Sequence, residues 1–169
     1  QRHLTIPCEM CIRDRSYGCQ VWGPWVFHGR LDNPLSTAAE AVHMDYLRMM
    51  AGTGRRIKHV LLLWEYNRYP TMWHWVALAA RFWGKLTAAD VRDKLSAIAM
   101  RADIQLMLAG CKQCWVFKLL DTLSCLGVLS REVWQPCDGR QLSVEGVMNI
   151  KVKEQAVTDA LAGKWDATM

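Results

Sequence analysis

Two pairs of cysteines carry the strongest chemical signature in the sequence. Cys8 and Cys11 form one CxxC pair, and Cys111 and Cys114 form a second in the segment CKQC. Four thiolates in two such pairs could hold a structural zinc ion. About a hundred residues separate the pairs, whereas paired zinc knuckles usually stand roughly 15–20 residues apart. We therefore expect no metal site and no cofactor, and zinc stays a minor alternative.

No other residues form a recognisable catalytic motif. The five histidines make no HExxH pattern, Ser36 and Ser124 lack a GxSxG elbow, and AGTGRR lacks the spacing of a phosphate-binding loop. The chain has no Asp-Asp pair for a two-metal polymerase centre. We therefore predict that the protein is not an enzyme.

Composition indicates a folded domain rather than a disordered or membrane-spanning chain. The sequence has 169 residues, of which 51% are hydrophobic, and a formal net charge of +5. No apolar run approaches the roughly 18 residues of a membrane span, so we expect no membrane partner and an intracellular location, in the cytoplasm or nucleus. The seven cysteines are an odd number in a chain of this size, which favours reduced thiols.

Helical patterns run through most of the chain. Thr37 followed by Glu40 is a capping-box signature that predicts a helix ending at Gly52. Residues 70–86 follow helical spacing on one face but are apolar on the other face too, so this Trp-rich helix lies at the centre of a bundle or under a partner. Thr87 is the expected N-cap of the next helix, with Val91, Leu95 and Ile98 facing inward.

These patterns predict an all-α fold, an irregular bundle of five or six helices. A further helix follows CKQC, with Val116, Leu119, Leu120 and Leu123 on one stripe. Residues 152–165 predict a last, mostly polar helix. Residues 1–34 contain six Gly and Pro residues without sustained periodicity, so we interpret them as an irregular linker or artefactual segment. Residues 35–169 then form a single helical domain.

Basic and aromatic residues concentrate between Arg48 and Lys85. This region holds seven cations against one acid, Glu65. Cations can meet backbone phosphates while aromatic rings stack on bases; a solvated face beside a Trp-rich core is the equally open structural alternative. The predicted RNA or DNA contact residues are Arg48, Arg55, Arg56, Lys58, Arg68, Arg81, Lys85, Trp64 and Tyr69.

The order of motifs in residues 35–128 resembles a known family. The motifs are Tyr46-Leu47-Arg48, Val60-Leu61, Glu65, Pro70, Arg81-Phe82-Trp83, Leu86 and Cys114-Trp115. In this order they look like the region downstream of the polymerase domain in non-LTR (LINE-like) retrotransposon reverse transcriptases. Asn67, where Gly is usual, and Gly84, where Asn is usual, depart from that pattern.

The resemblance implies a non-catalytic helical segment of a retrotransposon polyprotein, whose parent copies RNA into DNA. Its partners would be RNA or DNA and the upstream reverse-transcriptase domain of the same polyprotein. Residues 9–15, EMCIRDR, resemble a translated sequencing adapter, which together with the opening Gln1 leads us to expect a metagenomic-type fragment. The alternative function is a standalone protein-interaction module that docks a partner through the Trp-rich helix, Trp73 to Trp83.

Overall fold

The structure, a computed structural model, describes residues 18–54, 56–66, 68–88, 93–136 and 142–167. These ranges hold eight α-helices, two short 3-10 helices at Pro34–Ser36 and Arg131–Val133, and no strand. The all-α prediction is confirmed, with eight helices in the described residues rather than five or six. The α-helices are α1 Cys19–Phe27, α2 Ala38–Ala51, α3 His59–Glu65, α4 Thr71–Leu86, α5 Leu95–Leu108, α6 Trp115–Cys125, α7 Val144–Met148 and α8 Glu154–Asp166.

Helix α4 is the centre of the bundle, which explains why it is apolar nearly all round. It packs most extensively against α1 and also contacts α2, α5, α6 and α8. Trp75, Val76, Ala79 and Trp83 are buried in the main core, and the Trp83 indole N–H donates to the carbonyl of Ile150 at 3.0 Å. Because Trp73, Trp75 and Trp83 are all buried, α4 does not present the exposed tryptophan face that the alternative function, a protein-interaction module, would use.

Within the segment interpreted as irregular, residues 1–34, helix α1 corrects the prediction for Cys19–Phe27. Gly23 and Pro24 are typical of turns, but in the structure both lie inside α1 and are buried. Pro24 has no N–H for the carbonyl of Gln20 four residues earlier, and the Trp115 indole N–H donates to that carbonyl instead, at 3.0 Å. A Cβ on Gly23 would come within 3.2 Å of the Phe27 ring. Residues 1–17 lie outside the described residues.

The predicted ends of α2 are confirmed. The Thr37 hydroxyl accepts from the backbone N–H of Glu40 at 3.2 Å, and Gly52 ends the helix in the left-handed region with φ of 62°. The Glu40 side chain does not complete a capping box, however. It turns towards α4, where its Oε2 accepts from the backbone N–H of Thr71 at 2.7 Å.

Helix α5 begins later than predicted and turns a different face inward. Thr87 is the C-cap of α4, and its hydroxyl donates to the carbonyl of Trp83 at 3.0 Å. The inward face of α5 is Ala97, Met100, Ile104 and Met107, whereas Leu95 and Ile98 are 82% and 50% exposed. Val91 lies outside the described residues.

Helix α6 follows the prediction closely. Val116, Leu119, Leu120 and Leu123 are all fully buried. The helix starts at the CKQC turn, where Asp103 of α5 accepts from the backbone N–H of Val116 at 2.8 Å. Across the described ranges, no helix is both long enough and apolar enough to cross a membrane.

Candidate nucleic-acid interface

Helix α3 divides sharply into a buried and an exposed side. Leu62 and Leu63 are buried, whereas Leu61 and Trp64, three residues apart, are 53% and 62% exposed. Residues at this spacing are neighbours on a helix surface. The exposed side of α3 is therefore apolar, and it lies outside the core that its other side helps to fill.

Three cations flank this apolar side. Arg56 and Lys58 precede the helix and Arg68 follows it, and all three are exposed. The backbone N–H of Arg68 donates to the carbonyl of Leu63 at 2.7 Å, which folds the chain back onto the last turn of α3. We name the set Arg56, Lys58, Leu61, Trp64 and Arg68 the α3 surface. Glu65 is the acid exposed beside it, so the surface keeps an excess of positive charge.

Trp64 is the most exposed of the nine tryptophans. Six others are buried, and several indole N–H groups donate to protein acceptors, as Trp134 does to the Ser124 hydroxyl at 2.8 Å. The Trp64 side chain forms no hydrogen bond or ring pair with the described residues. A large aromatic ring is thus presented to solvent on a short helix with cations before and after it in the chain, and exposed aromatic rings with nearby cations bind single-stranded nucleic acids by stacking on their bases.

Two of the predicted contact residues do not join the α3 surface as free cations. The guanidinium of Arg48 bonds Asp45 at 2.9 Å, and its side chain is only 13% exposed. Arg81 forms a double hydrogen bond with Glu154 of α8, at 2.8 and 2.5 Å. This pairing raises the pKa of Arg81 and lowers the pKa of Glu154. Arg55 lies outside the described residues.

The remaining predicted residues lie along α4. Tyr69 is exposed just before the helix begins, next to Arg68 of the α3 surface. Lys85 is exposed one helical turn beyond Arg81. Arg56, Lys58, Trp64 and Arg68 therefore lie on α3 or next to it in the chain, whereas the Tyr69 ring lies against Trp73 of α4, with centroids 6.5 Å apart, and Arg81 and Lys85 lie further along α4.

A cavity of about 310 Å³ lies between α4 and α8, next to Tyr69. Its polar lining includes His74, Arg81, Glu154 and Thr158. Sequence reasoning missed this cavity because α8 was interpreted as mostly polar. The sequence did contain a pattern that predicts a buried face of α8. Val157, Leu161 and Trp165 follow helical spacing, and all three are buried. The other lining residues are Tyr69, Trp73, Ala77, Leu78, Leu161 and Ala162.

His74, at this cavity, has a pKa below its ordinary value. Loss of water around the ring is the main cause, and the positive charges of Arg81 and Arg68 add to it, while Glu154 opposes the shift. Arg68 of the α3 surface and Arg81 of α4 therefore both act on the same imidazole. A charge of the α3 surface therefore lowers the pKa of a side chain that lines the cavity.

A buried polar cluster links α2 to the start of α4. The Glu40 Oε1 and the Thr71 hydroxyl each lie 3.0 Å from Nδ1 of His43, and all three residues are buried. A nucleophilic triad would need the carboxyl and the hydroxyl on opposite ring nitrogens, whereas here both share one. The arrangement holds the two helices together and does not activate Thr71.

Cys114 of the CKQC pair is the N-cap residue of α6, but its side chain makes no capping bond to the helix. The Cys114 Sγ donates to the carbonyl of Cys111 at 3.1 Å, and burial raises the pKa of the Cys114 thiol. No group of three or more His, Cys, Asp or Glu side chains converges in the part of the chain that the structure describes. Cys8 and Cys11 lie outside it.

Comparisons with known proteins identify no relative. No protein-family model, curated protein or solved structure matches the chain. The resemblance to a retrotransposon reverse transcriptase therefore stays a prediction carried by the motifs themselves, and the function is argued from the geometry of the α3 surface.

Proposed function

We propose that the chain binds single-stranded RNA or DNA through the α3 surface, as a non-catalytic helical segment of a retrotransposon reverse-transcriptase polyprotein. The observation that carries the proposal is the 62% exposure of Trp64, on a helix that exposed Lys58 precedes and exposed Arg68 follows in the chain. The resemblance supplies the polyprotein setting, and the α3 surface supplies the contact.

The chemistry of the α3 surface suits a single strand better than a duplex. A base can stack on the exposed indole of Trp64 only when the base is unpaired or splayed out. Such stacking contributes about 1–3 kcal/mol per base and depends little on sequence. Arg56, Lys58 and Arg68 can then meet the phosphates on either side. Binding of this kind is strong at low salt and nearly sequence-independent.

Salt dependence measures the phosphate contacts directly. Each cation that neutralises a phosphate of a single strand adds about 0.7 to the slope of log affinity against log salt. The variant Arg56→Ala/Lys58→Ala/Arg68→Ala should therefore lose about 2 from this slope. The measurement is fluorescence anisotropy of a labelled 12-nucleotide RNA of mixed sequence with the full chain, between 50 and 300 mM KCl.

A matched variant controls for the change in net charge. Lys94, Lys112 and Lys151 are also exposed and lie outside the α3 surface, and replacing all three with Ala removes the same charge. The control should keep most of the slope, because its lysines meet no phosphate. Equal losses in both triple variants, or no RNA binding by the natural chain at 50 mM KCl, would contradict the proposal.

Trp64→Ala tests the stacking contribution separately. It should weaken RNA binding about 5-fold to 150-fold, by the 1–3 kcal/mol expected for one stacked base, and leave the salt slope nearly unchanged. Trp25→Ala is the control, since Trp25 is also exposed but lies on α1. An equal effect of the two substitutions would place the strand somewhere other than the α3 surface.

A further inference from the structure

The turn between α5 and α6 holds the two cysteines of CKQC close together. The backbone N–H of Cys111 donates to the carbonyl of Leu106 in α5 at 3.0 Å, and Cys114 is the N-cap residue of α6. Lys112 and Gln113 form the turn between them. The first and fourth residues of a turn have Cα atoms within about 7 Å of each other, and disulfide-bonded cysteines have theirs roughly 4.4–6.8 Å apart. The backbone therefore brings the pair to a separation that a disulfide can bridge.

The Cys114 thiol already points back towards Cys111. Its Sγ donates to the carbonyl of Cys111 at 3.1 Å and makes no capping bond to α6. Asp103 of α5 supplies an acceptor there instead, since its Oδ2 accepts from the backbone N–H of Val116 at 2.8 Å. A thiol is a weak hydrogen-bond donor. The Cys114 sulfur can thus give up its present contact without removing the Asp103 bond to the start of α6.

The two thiols differ in their access to a reagent. Cys111 is partly exposed, whereas Cys114 is only 5% exposed. Burial raises the pKa of the Cys114 thiol, and the negative charges of Asp103 and Cys111 add to this effect. Only a thiolate attacks a disulfide, and the attack needs access to the reagent. Cys111 is therefore the thiol that meets an external disulfide, and Cys114 is the thiol that reacts second.

We propose that Cys111 and Cys114 form a reversible redox site, which a low-molecular-weight disulfide, RSSR, converts into an intrachain disulfide. The Cys111 thiolate attacks one sulfur of RSSR, so that a mixed disulfide forms and one RS⁻ leaves. Cys114 then loses its proton and attacks the Cys111 Sγ, which releases the second RS⁻. The two cysteines lose two electrons and two protons, and RSSR takes them up as two RSH. Excess RSH reverses both steps. The redox site does not rest on the nucleic-acid function, because neither cysteine belongs to the α3 surface.

Cleavage by trypsin after Lys112 reports the disulfide directly. Trypsin also cuts after Arg101 and Lys118, so Cys111 and Cys114 fall in separate peptides, 102–112 and 113–118, which only a disulfide can join. The full chain is incubated in glutathione buffers with a rising share of the oxidised form, quenched with acid, alkylated, digested and analysed by mass spectrometry without reductant. The joined peptides should become the main form of Cys111 in the most oxidised buffer and should disappear in excess reduced glutathione. Cys111 left reduced, bound only to glutathione or joined to another cysteine would overturn the proposal.

Two variants test the order of the steps. In Cys114→Ser the second thiol is missing, so glutathione should stay on Cys111 as a mixed disulfide. In Cys111→Ser only the buried thiol remains, and it should react with oxidised glutathione about tenfold more slowly or less. Equal rates in the two variants would overturn the assigned order. Circular dichroism checks that both fold, and Cys114→Ala is the second variant if Cys114→Ser does not.

Two other cysteines of the described residues are controls in the same digest. Cys125 is exposed but has no cysteine three residues away in the sequence, so it should bind glutathione and remain a mixed disulfide. Cys19 is fully buried, which raises its pKa to about 11, and it should stay reduced. Cys125→Ser should leave the joined peptides unchanged. Loss of the joined peptides in this variant, or their presence only in disulfide-linked dimers on a non-reducing gel, would overturn an intrachain bond.

Discussion

Glu40 provides at long range the cap that α4 lacks locally. Pro70 precedes the helix and makes no side-chain capping bond, so the first N–H groups of α4 need other acceptors. The Glu40 carboxyl group, fully buried, accepts from the first of them, that of Thr71. Glu40, which the sequence predicted to cap the start of α2, thus stabilises the start of α4.

Replacing Glu40 should destabilise the fold far more than replacing an ordinary surface acid. Glu40→Ala leaves the Thr71 N–H and the His43 ring buried without this acceptor, and we expect the free energy of unfolding to fall by about 2 kcal/mol or more. Glu65→Ala, at an exposed position of α3, should change it by less than about 0.5 kcal/mol. Urea denaturation followed by circular dichroism measures both. Similar values for the two variants would contradict the capping role.

His74 should make the fold sensitive to mild acid. Its pKa is lowered in the folded state from an ordinary value of 6.5, so below pH 6.5 the unfolded chain takes up the proton more readily. The folded state then loses stability as the pH falls from 6.5 towards the lowered pKa. His74→Gln should remove this loss, so the stability of the natural chain relative to the variant should decrease between pH 7.5 and 5.5.

A substitution of Arg81 tests why the pKa of His74 is lowered. Arg81→Ala removes a positive charge that lowers the pKa of His74, so an NMR titration of the imidazole should give a higher pKa in this variant. Urea denaturation at several pH values checks the stability effect. A constant difference between the natural chain and His74→Gln across the pH range would show that His74 does not titrate differently on folding.

At the scale of the helix, periodicity was informative where only one face is apolar. The stripe of α6 is buried as expected, and the ends of α2 follow from Thr37 and Gly52. In α5 both faces carry apolar residues, and periodicity cannot tell which one meets the core. Tertiary contacts with α6 and α7 decide this, and the sequence of α5 does not contain them.

Two isoleucines of α5 test which face is inside. Ile104 is fully buried, whereas Ile98, predicted to face inward, is 50% exposed. Ile104→Ala should reduce the free energy of unfolding by about 2–4 kcal/mol through lost contacts and a cavity. Ile98→Ala, the same chemical change on the same helix, should cost less than about 1 kcal/mol. Urea denaturation measures both, and a larger loss for Ile98→Ala would support the predicted orientation instead.

For the whole molecule, the sequence predicted the fold class and part of the candidate site. A local run of cations and aromatic rings identified Trp64, Lys58 and Arg68, because they belong to one short helix and its flanks. Pairing across the fold was invisible in the sequence, as Arg81 shows: its partner Glu154 lies 73 residues away. The α4–α8 cavity was missed partly for the same reason, since its two walls come from distant segments, and partly because α8 was interpreted as mostly polar.

The place of α1 in the core leads to the last prediction. A chain shortened to residues 31–169, close to the domain boundary that the sequence suggested, would lose α1. Trp75 would lose the Trp22 ring, whose centroid lies 4.8 Å from its own, and Trp115 would lose the acceptor for its indole N–H. The buried side chain of Phe27 would go too; Phe27→Ala alone should cost about 3–5 kcal/mol.

Since small domains are stable by only about 5–15 kcal/mol, the shortened chain should unfold at a much lower temperature or show no cooperative transition. Thermal unfolding followed by circular dichroism compares it with the full chain. Val21→Ala in the full chain is the control, because Val21 is exposed on α1 and should change the free energy of unfolding by less than about 0.5 kcal/mol. A shortened chain that unfolds cooperatively at the temperature of the full chain would support the predicted boundary. It would show that α1 contributes little to the stability of the domain.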